Sequence, residues 1–283
     1  MAEAPHIHVL AAVAPATLSR YREVLSRDPL IRLSLVTEQA DVRAFLAQSQ
    51  RRADILVLDH ALCDAYALIT ELRQTFPRLL ILLVDEGADF STPGRADDVS
   101  INPFENDDLL KRIKRLAEER QLETLRTDAF PAVRTIAQQL RRAGAAPGKQ
   151  KAAVEAVAAM GYDYVAYYAL VPTTPPTLSL SSQAGPPHLT GSAPPSIAMD
   201  GSLLGWVAES GQSRVVGPAD TPNHPLIAQG HLAAGAAVPV GTNLRFGVLL
   251  ACRAQEHSIT GQHVMVLELV SAQLANALAK QQI

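Results

Sequence analysis

The chain has 283 residues, 48% hydrophobic and 19% charged, enough for two soluble domains with ordinary cores. Residues 1–126 hold 16 Lys/Arg against 20 Asp/Glu and residues 127–283 hold 9 against 8, so neither half has the basic surplus of a nucleic-acid binder. No apolar run reaches the ~18–20 residues that span a bilayer, and a lone cysteine in each half, Cys63 and Cys252, argues against a disulfide framework and fits a reducing cytoplasm.

The opening HVLAAVAPA is preceded by His and Glu rather than Lys or Arg, so it reads as a first strand and not as a signal peptide. Strands are predicted at His8–Val13, Ile31–Val36, Asp54–Leu58, Leu79–Val84 and Val99–Ile101, with helices over Pro15–Ser26, Val42–Gln48 and Ala65–Thr75 between them. DILVLD and LLILLV are apolar at consecutive positions, as expected of strands buried on both faces of a parallel sheet. Alternating β and α units imply a doubly wound sheet with its site at the carboxyl ends of the strands. Asp59 closes the third apolar run, ILVLDHAL, at that edge. The segment DEGADFSTPGRADD after Val84 has turn residues and little apolar period, so the fourth helix is predicted to be reduced to a turn.

From Glu105 a helical stretch, ENDDLLKRIKRLAEERQLETLR, is acidic at its start and basic after it, as the helix dipole favours. Asp128 can cap a further helix with Pro131 in its first turn, and AVRTIAQQLRRAG puts Val133, Ile136, Ala137 and Leu140 on one stripe. APGK (Ala146–Lys149) punctuates, and KAAVEAVAAMG forms a short helix. Beyond it YDYVAYYALV, TLSLSS, RVVG, AAGAAVPVG and LRFGVLLACRA read as strands, and GSLLGWVAESG as a helix ending at Gly211. Residues 184–196 read as a Pro/Gly loop, and a closing amphipathic helix follows the candidate cap Thr260.

The βα rhythm, ILVLDHAL at the third strand and INPFENDDLLKRI at the fifth make residues 5–120 resemble the receiver domain of two-component response regulators. The resemblance implies that a phosphate-accepting aspartate, here Asp59, works with an acidic metal-binding pair after the first strand, a Thr or Ser after the fourth and a Lys after the fifth. In this chain Val13 and Ala14 stand at the acidic pair, Val84 or Asp85 at the hydroxyl, and Asn102 at the lysine. Phosphoryl transfer needs the charge on three oxygens neutralised, and Mg²⁺ prefers several oxygen ligands. One carboxylate cannot supply that site, and Asp85 adds repulsion. The expectation is a pseudo-receiver whose Asp59 is hydrogen-bonded to nearby backbone N–H groups.

MDGSLLGWVAESGQSRVV (Met199–Val216), then LAAGAAVPVGTNLRFGVLLACRA (Leu232–Ala254), then the final helix make residues 130–283 resemble a GAF domain. The resemblance implies an antiparallel sheet with terminal helices on one face and, on the other, room for a small molecule under loops. Alternation puts Phe246, Val248, Leu250 and Cys252 on one face and Gly247, Leu249, Ala251 and Arg253 on the other; Tyr164 and Tyr168 share a face opposite Tyr167. A pocket bounded by Tyr168, Trp206, Asp220, Asn223 and His224 is one reading, and Trp206 as core filling is the other. Among chemistries the resemblance brings, bilin attachment lacks a cysteine between Tyr162 and Ala251, and methionine-sulfoxide reduction lacks the several cysteines it needs. The Asn-Lys-Phe signature of cyclic-nucleotide-binding members is not visible.

No metal site is expected. His6 and His8 lie near the start of the first strand and His60 beyond the far end of a neighbour, so at ~3.3 Å per residue they are more than ~10 Å apart. His188, His224 and His231 fall on loops. There is no phosphate-loop Gly-Lys-Ser/Thr, dinucleotide glycine fingerprint or nucleophile elbow, so no cofactor is expected.

The organisation expected is a pseudo-receiver over 1–120, connecting helices over 121–145 and a GAF domain over 130–283. The function expected is non-catalytic cytoplasmic signalling through contact with a protein partner, a sensor kinase or another signalling protein. The chain ends with the last helix, so output is expected by contact, and Glu105–Gly144 with Gly261–Gln282 would form a homodimer seam. The alternatives are a small-molecule sensor through the GAF pocket and a conventional phospho-switch at Asp59.

Overall fold

A computed structural model of the chain describes residues 6–87, 96–127, 131–241 and 244–280, with side chains of 121–134 outside the description. The chain divides into two compact units, one of Met1–Arg73 and Leu79–Thr124, the other of Gln74–Arg78 and Leu125–Ile283.

The first unit carries β1 (Ile7–Ala12), β2 (Ile31–Val36), β3 (Ile55–Asp59), β4 (Leu80–Val84) and β5 (Asp98–Ser100) in one sheet of order β2-β1-β3-β4-β5. All pairs are parallel. Every residue of β3 is buried, as is all of β4 after Leu80, which explains their unbroken apolar character. The edge strand β2 is less covered and accordingly alternates in IRLSLV. Connecting helices α1 (Leu18–Leu25), α2 (Gln39–Ala47) and α3 (Ala65–Thr75) each bury one stripe: Tyr21, Val24 and Leu25; Val42, Phe45 and Leu46; Ala65, Leu68, Ile69 and Leu72. Each Val, Leu, Ile or Phe side chain among them contributes about 1.5–3 kcal/mol by leaving water. α4 (Asp108–Thr127) adds Leu109, Ile113 and Leu116 to the core that holds the α1 stripe.

In this strand order connections leave β1 and β3 in opposite directions, so a crevice opens at their carboxyl ends. Asp59 is the last residue of β3 and lies on that edge. Two expectations shift. The first helix does not start at Pro15; residues 15–17 form a turn and the helix begins at Leu18. The predicted reduction of the fourth helix falls on 88–95, outside the described residues.

The second unit has an antiparallel sheet of order β8-β7-β6-β11-β10-β9, built from β6 (Tyr164–Val171), β7 (Thr177–Ala184), β8 (Ser196–Ala198), β9 (Arg214–Val216), β10 (Ala234–Val240) and β11 (Gly247–Arg253). Helices α5 (Pro131–Arg142), α6 (Ala146–Ala158) and α10 (Gly261–Ala279) cover one face. Ile136, Leu140, Leu274 and Leu278 meet Val165, Tyr167, Leu249 and Ala251 there. Ile136 and Leu140 of the α5 stripe thus pack inside their own chain, while Ala137 is half-buried; Val133 and the Asp128 cap lie outside the description.

The other face packs α7 (Pro187–Ser192), α8 (Leu203–Ser210) and α9 (Pro225–Ala228) against Tyr164, Tyr168, Val248, Leu250 and Cys252. α8 starts at Ser202, whose hydroxyl accepts the Gly205 N–H at 3.0 Å, and stops at left-handed Gly211. Gly205 allows the backbone to pass against the Met199 carbonyl, which a Cβ would overlap. α10 is capped reciprocally by Thr260 and His263.

Three predictions fail locally. Ala146–Lys149 is not a break but the first turn of α6, with Pro147 where its missing N–H costs nothing. Residues 184–196 hold α7 and the start of β8 rather than an irregular loop. Phe246 leaves the face of Val248 and packs with the α5/α6/α10 core, because the strand begins at Gly247, φ +152°, and alternation starts after it.

Candidate functional sites

The chain before α1 turns at Ala14–Thr17, which brings Thr17 and Tyr21, one helical turn apart, to the edge where β3 ends. Asp59 is 7% exposed there. Its Oδ2 accepts the Tyr21 hydroxyl at 3.2 Å and lies 3.3 Å from the Thr17 hydroxyl; its Oδ1 accepts the Ala61 N–H at 2.9 Å. The single Thr17 proton is shared, since the Ala14 carbonyl is also within 3.1 Å. Burial first, then the Asp59 charge and hydrogen bond, push the Tyr21 phenol above its ordinary range, so it stays protonated and donates.

Residues Thr17, Tyr21, Asp59, His60, Ala61, Val84, Asp85, Glu86, Gly87 and Phe104 line a cavity of about 270 Å³ beside the acid. The lining holds the carboxylates of Asp59, Asp85 and Glu86 and the imidazole of His60; no Lys or Arg is among them. Phe104 stands edge-on to Tyr21 at 5.0 Å, and Arg20 lies over the outer Phe104 ring at 4.0 Å. Val13 is buried and bonds Val36 through its backbone, and Ala14 supplies only a carbonyl. Val84 pairs beside Asp59 and takes the His60 N–H on its carbonyl at 2.9 Å. The Asp85 carboxylate closes a turn by accepting the Gly87 N–H at 3.0 Å. Asn102 lines a different depression with Glu105, Asp108 and Lys111, away from the Asp59 cavity.

Backbone bonding to Asp59 was expected; two hydroxyls were not. The signal was the spacing of Thr17 and Tyr21, which share a helix face just after β1. It becomes meaningful only once α1 starts three residues later than its proline suggests.

In the second unit Tyr168 and Trp206 are 0% and 4% exposed, and both belong to the α8-side core, so they fill the place where the pocket was expected. His224 caps α9: its Nδ1 accepts the Leu226 N–H at 3.3 Å, which places the proton on Nε2, 3.3 Å from the Tyr168 oxygen. Tyr168 in turn donates to the Pro194 carbonyl at 3.1 Å. Burial lowers the His224 pKa to about 4, so the ring is neutral. Asp220 accepts the Gly217 N–H at 2.7 Å and Asn223 donates to the Gly217 carbonyl at 2.7 Å. Asn223 Oδ1 also accepts the His224 N–H at 2.8 Å, so the polar trio shapes its own loop, and across the core His224 meets Tyr168.

Arg214, at the start of β9, went unnoticed in the sequence because it reads as the polar end of RVVG. It is 5% exposed, and its guanidinium carbon lies 5.3 Å from the Trp206 ring centre. Nη2 donates to the Thr221 carbonyl at 3.1 Å, whereas Nε and Nη1 are buried without a partner among the described residues.

Among the described residues no group of three or more His, Cys, Asp or Glu is placed to hold a metal, and no helix is long and apolar enough to cross a membrane. His8 lies beside Asp54, at the end of β3 away from His60.

Residues 150–279 match the family model described as GAF domain. No curated protein matches the chain. The chain is similar to the structure of a free methionine-R-sulfoxide reductase from Neisseria meningitidis in complex with its substrate, at 20% identity, over 54% of this chain and 90% of that one, with a TM-score of 0.47. It is similar to the GAF domain of a phosphoenolpyruvate-protein phosphotransferase from Acinetobacter, at 20% identity over 53% and 92%, TM-score 0.44. A phycoerythrobilin-bound GAF domain from a cyanobacterial phytochrome aligns at 16% identity over 53% and 94%, TM-score 0.43. The match to the GAF-domain model is confined to residues 150–279 of the chain.

Proposed function

We propose that the protein is a non-catalytic cytoplasmic signalling protein, an atypical response regulator whose receiver-like first unit works without phosphorylation of Asp59. The observation that carries this reading is the state of the carboxylate: it accepts one N–H and one or two hydroxyls in a cavity lined by further carboxylates and no lysine. A dianionic phosphoryl group there would meet repulsion from Asp85 and Glu86 and would displace the Tyr21 bond. Output then comes from surfaces read by a protein partner, a sensor kinase or another signalling protein. Pairing of two copies through the long helices is part of the proposal; sedimentation as a monomer at tens of micromolar would remove it.

The test is beryllofluoride with Mg²⁺, a phosphoryl mimic. Thermal midpoint and sedimentation of the wild type should match those of Asp59→Asn with and without it. A saturable response confined to the wild type would establish the phospho-switch instead.

A second reading, sensing of a small molecule by the GAF domain, is favoured by the unsatisfied Arg214 on the α8 side of the sheet. Thiol redox chemistry is disfavoured: Cys252, alone in residues 127–283, is fully buried, and burial pushes its thiol well above the ordinary range.

A further inference from the structure

We propose that Arg214 is the anchor of an oxyanion-binding subsite in the GAF domain, taking the carboxylate of a small organic acid. This rests on the second reading above and gives its ligand a chemistry.

A guanidinium carries five N–H donors and a charge it does not lose in proteins. On Arg214, one bond to the Thr221 carbonyl is made, while Nε and Nη1 are buried and unbonded among the described residues. Asp220 is the carboxylate whose charge acts on it, yet its Oδ2 is committed to the Gly217 N–H at 2.7 Å and the two form no ion pair. A buried charge with so few partners is costly to the fold. Such a group is kept where something else completes it, either ordered water or an anion. The surroundings distinguish these two. The guanidinium carbon lies 5.3 Å from the Trp206 ring centre and 5.6 Å from that of Phe76, and neither ring offers an acceptor oxygen. Val216, two residues along β9, shares the α8-side core with Trp206, so the neighbourhood is apolar. Waters there would find few further partners, whereas a carboxylate supplies two acceptors and a neutralising charge, with its hydrocarbon body on apolar walls.

β9 fixes the backbone through its pairing of Arg214 with Ala237, so the donors are held on a strand rather than a loop. The edge position of β9 leaves one side of the strand without a neighbour in the sheet. Nε and Nη1 are fully covered as the chain stands, so a carboxylate reaches them by parting the packing around β9.

Trp206 is the only tryptophan of the chain, which makes intrinsic fluorescence a direct reporter on the unmutated protein. The full chain would be titrated with sodium benzoate, sodium hexanoate and inorganic phosphate at constant potassium chloride, following Trp206 emission and the thermal midpoint. A saturable change with a carboxylate is expected, weakened about 10- to 100-fold in Arg214→Gln and less in Arg214→Lys, which keeps charge but not the planar fork. Response to phosphate alone would make the source a phosphorylated metabolite and overturn the carboxylate assignment. Equal response in wild type and Arg214→Gln would overturn the role of Arg214 while leaving ligand sensing intact. No response in the wild type to any of the three would overturn the subsite, and water would then be what serves the guanidinium. If Arg214→Gln fails to fold, the wild-type titrations and Arg214→Lys decide alone.

Discussion

Asp59 and Arg214 are both charged and nearly buried, but their surroundings treat them oppositely. Around Asp59 the Tyr21 hydroxyl and the Ala61 N–H donate, and the Thr17 hydroxyl is shared between the acid and the Ala14 carbonyl. Around Arg214 one carbonyl is in place and two nitrogens wait. A buried charge that is fully bonded is part of the architecture; one that is half bonded points outward to something the chain does not itself contain. The contrast is the ground for the two proposals, a silent Asp59 and a ligand at Arg214.

The largest effect expected concerns the helix that carries Trp206. Gly205→Val should cost about 3 kcal/mol, the upper end for overpacking, since the new side chain overlaps the Met199 carbonyl and α8 must shift. Denaturant unfolding followed by Trp206 emission measures it; a midpoint like that of the wild type would mean α8 is not held as described.

Acid should act next. The unfolded chain protonates His224 near 6.5, whereas the folded state resists until about 4. Stability from this group is therefore complete above about pH 6.5, falls as pH drops, and stops falling near pH 4, a loss of about 3 kcal/mol. His224→Gln should flatten that part of the stability curve. An unchanged slope would show that the imidazole is not neutral in the core.

Tyr21→Phe removes one charge-assisted bond from Asp59 and should cost about 2 kcal/mol, read by chemical denaturation. Asp59→Asn combined with Tyr21→Phe should cost less than the two separately, because they share one interaction. Strict additivity would argue that the hydroxyl and the carboxylate do not meet.

How far these features could be read in advance differs along the chain for physical reasons. The sequence bounds match the structure for Ile31–Val36 and Ala65–Thr75 and lie within one residue at each end for the other strands of the first sheet, because alternation in β2, a helical stripe in α3 and the unbroken apolar runs of β3 and β4 each leave a periodic record. The faces of Tyr164, Tyr167 and Tyr168 also followed from alternation. The short α7, α9 and β8 did not, since Pro, Gly and Ser dominate segments too short to show a period. Thr17 and Tyr21 meet Asp59 across about forty residues, a contact set by where α1 starts and not by any local pattern. Arg214 was invisible for a different reason: its significance is what it lacks, and unsatisfied donors appear only once neighbours are placed.

The smallest effect sharpens the contrast most. Arg214→Met keeps the volume while removing the unpaired charge, so without ligand it should change stability by less than ~1 kcal/mol or raise it. A loss beyond ~3 kcal/mol would show that the guanidinium already has its partners.

The central claim, that Asp59 is structurally occupied and does not accept phosphate, is tested most directly by intact mass. The purified chain incubated with acetyl phosphate and Mg²⁺ should show no phosphoryl adduct, in wild type and Asp59→Asn alike. An adduct on the wild type that disappears in Asp59→Asn would contradict it.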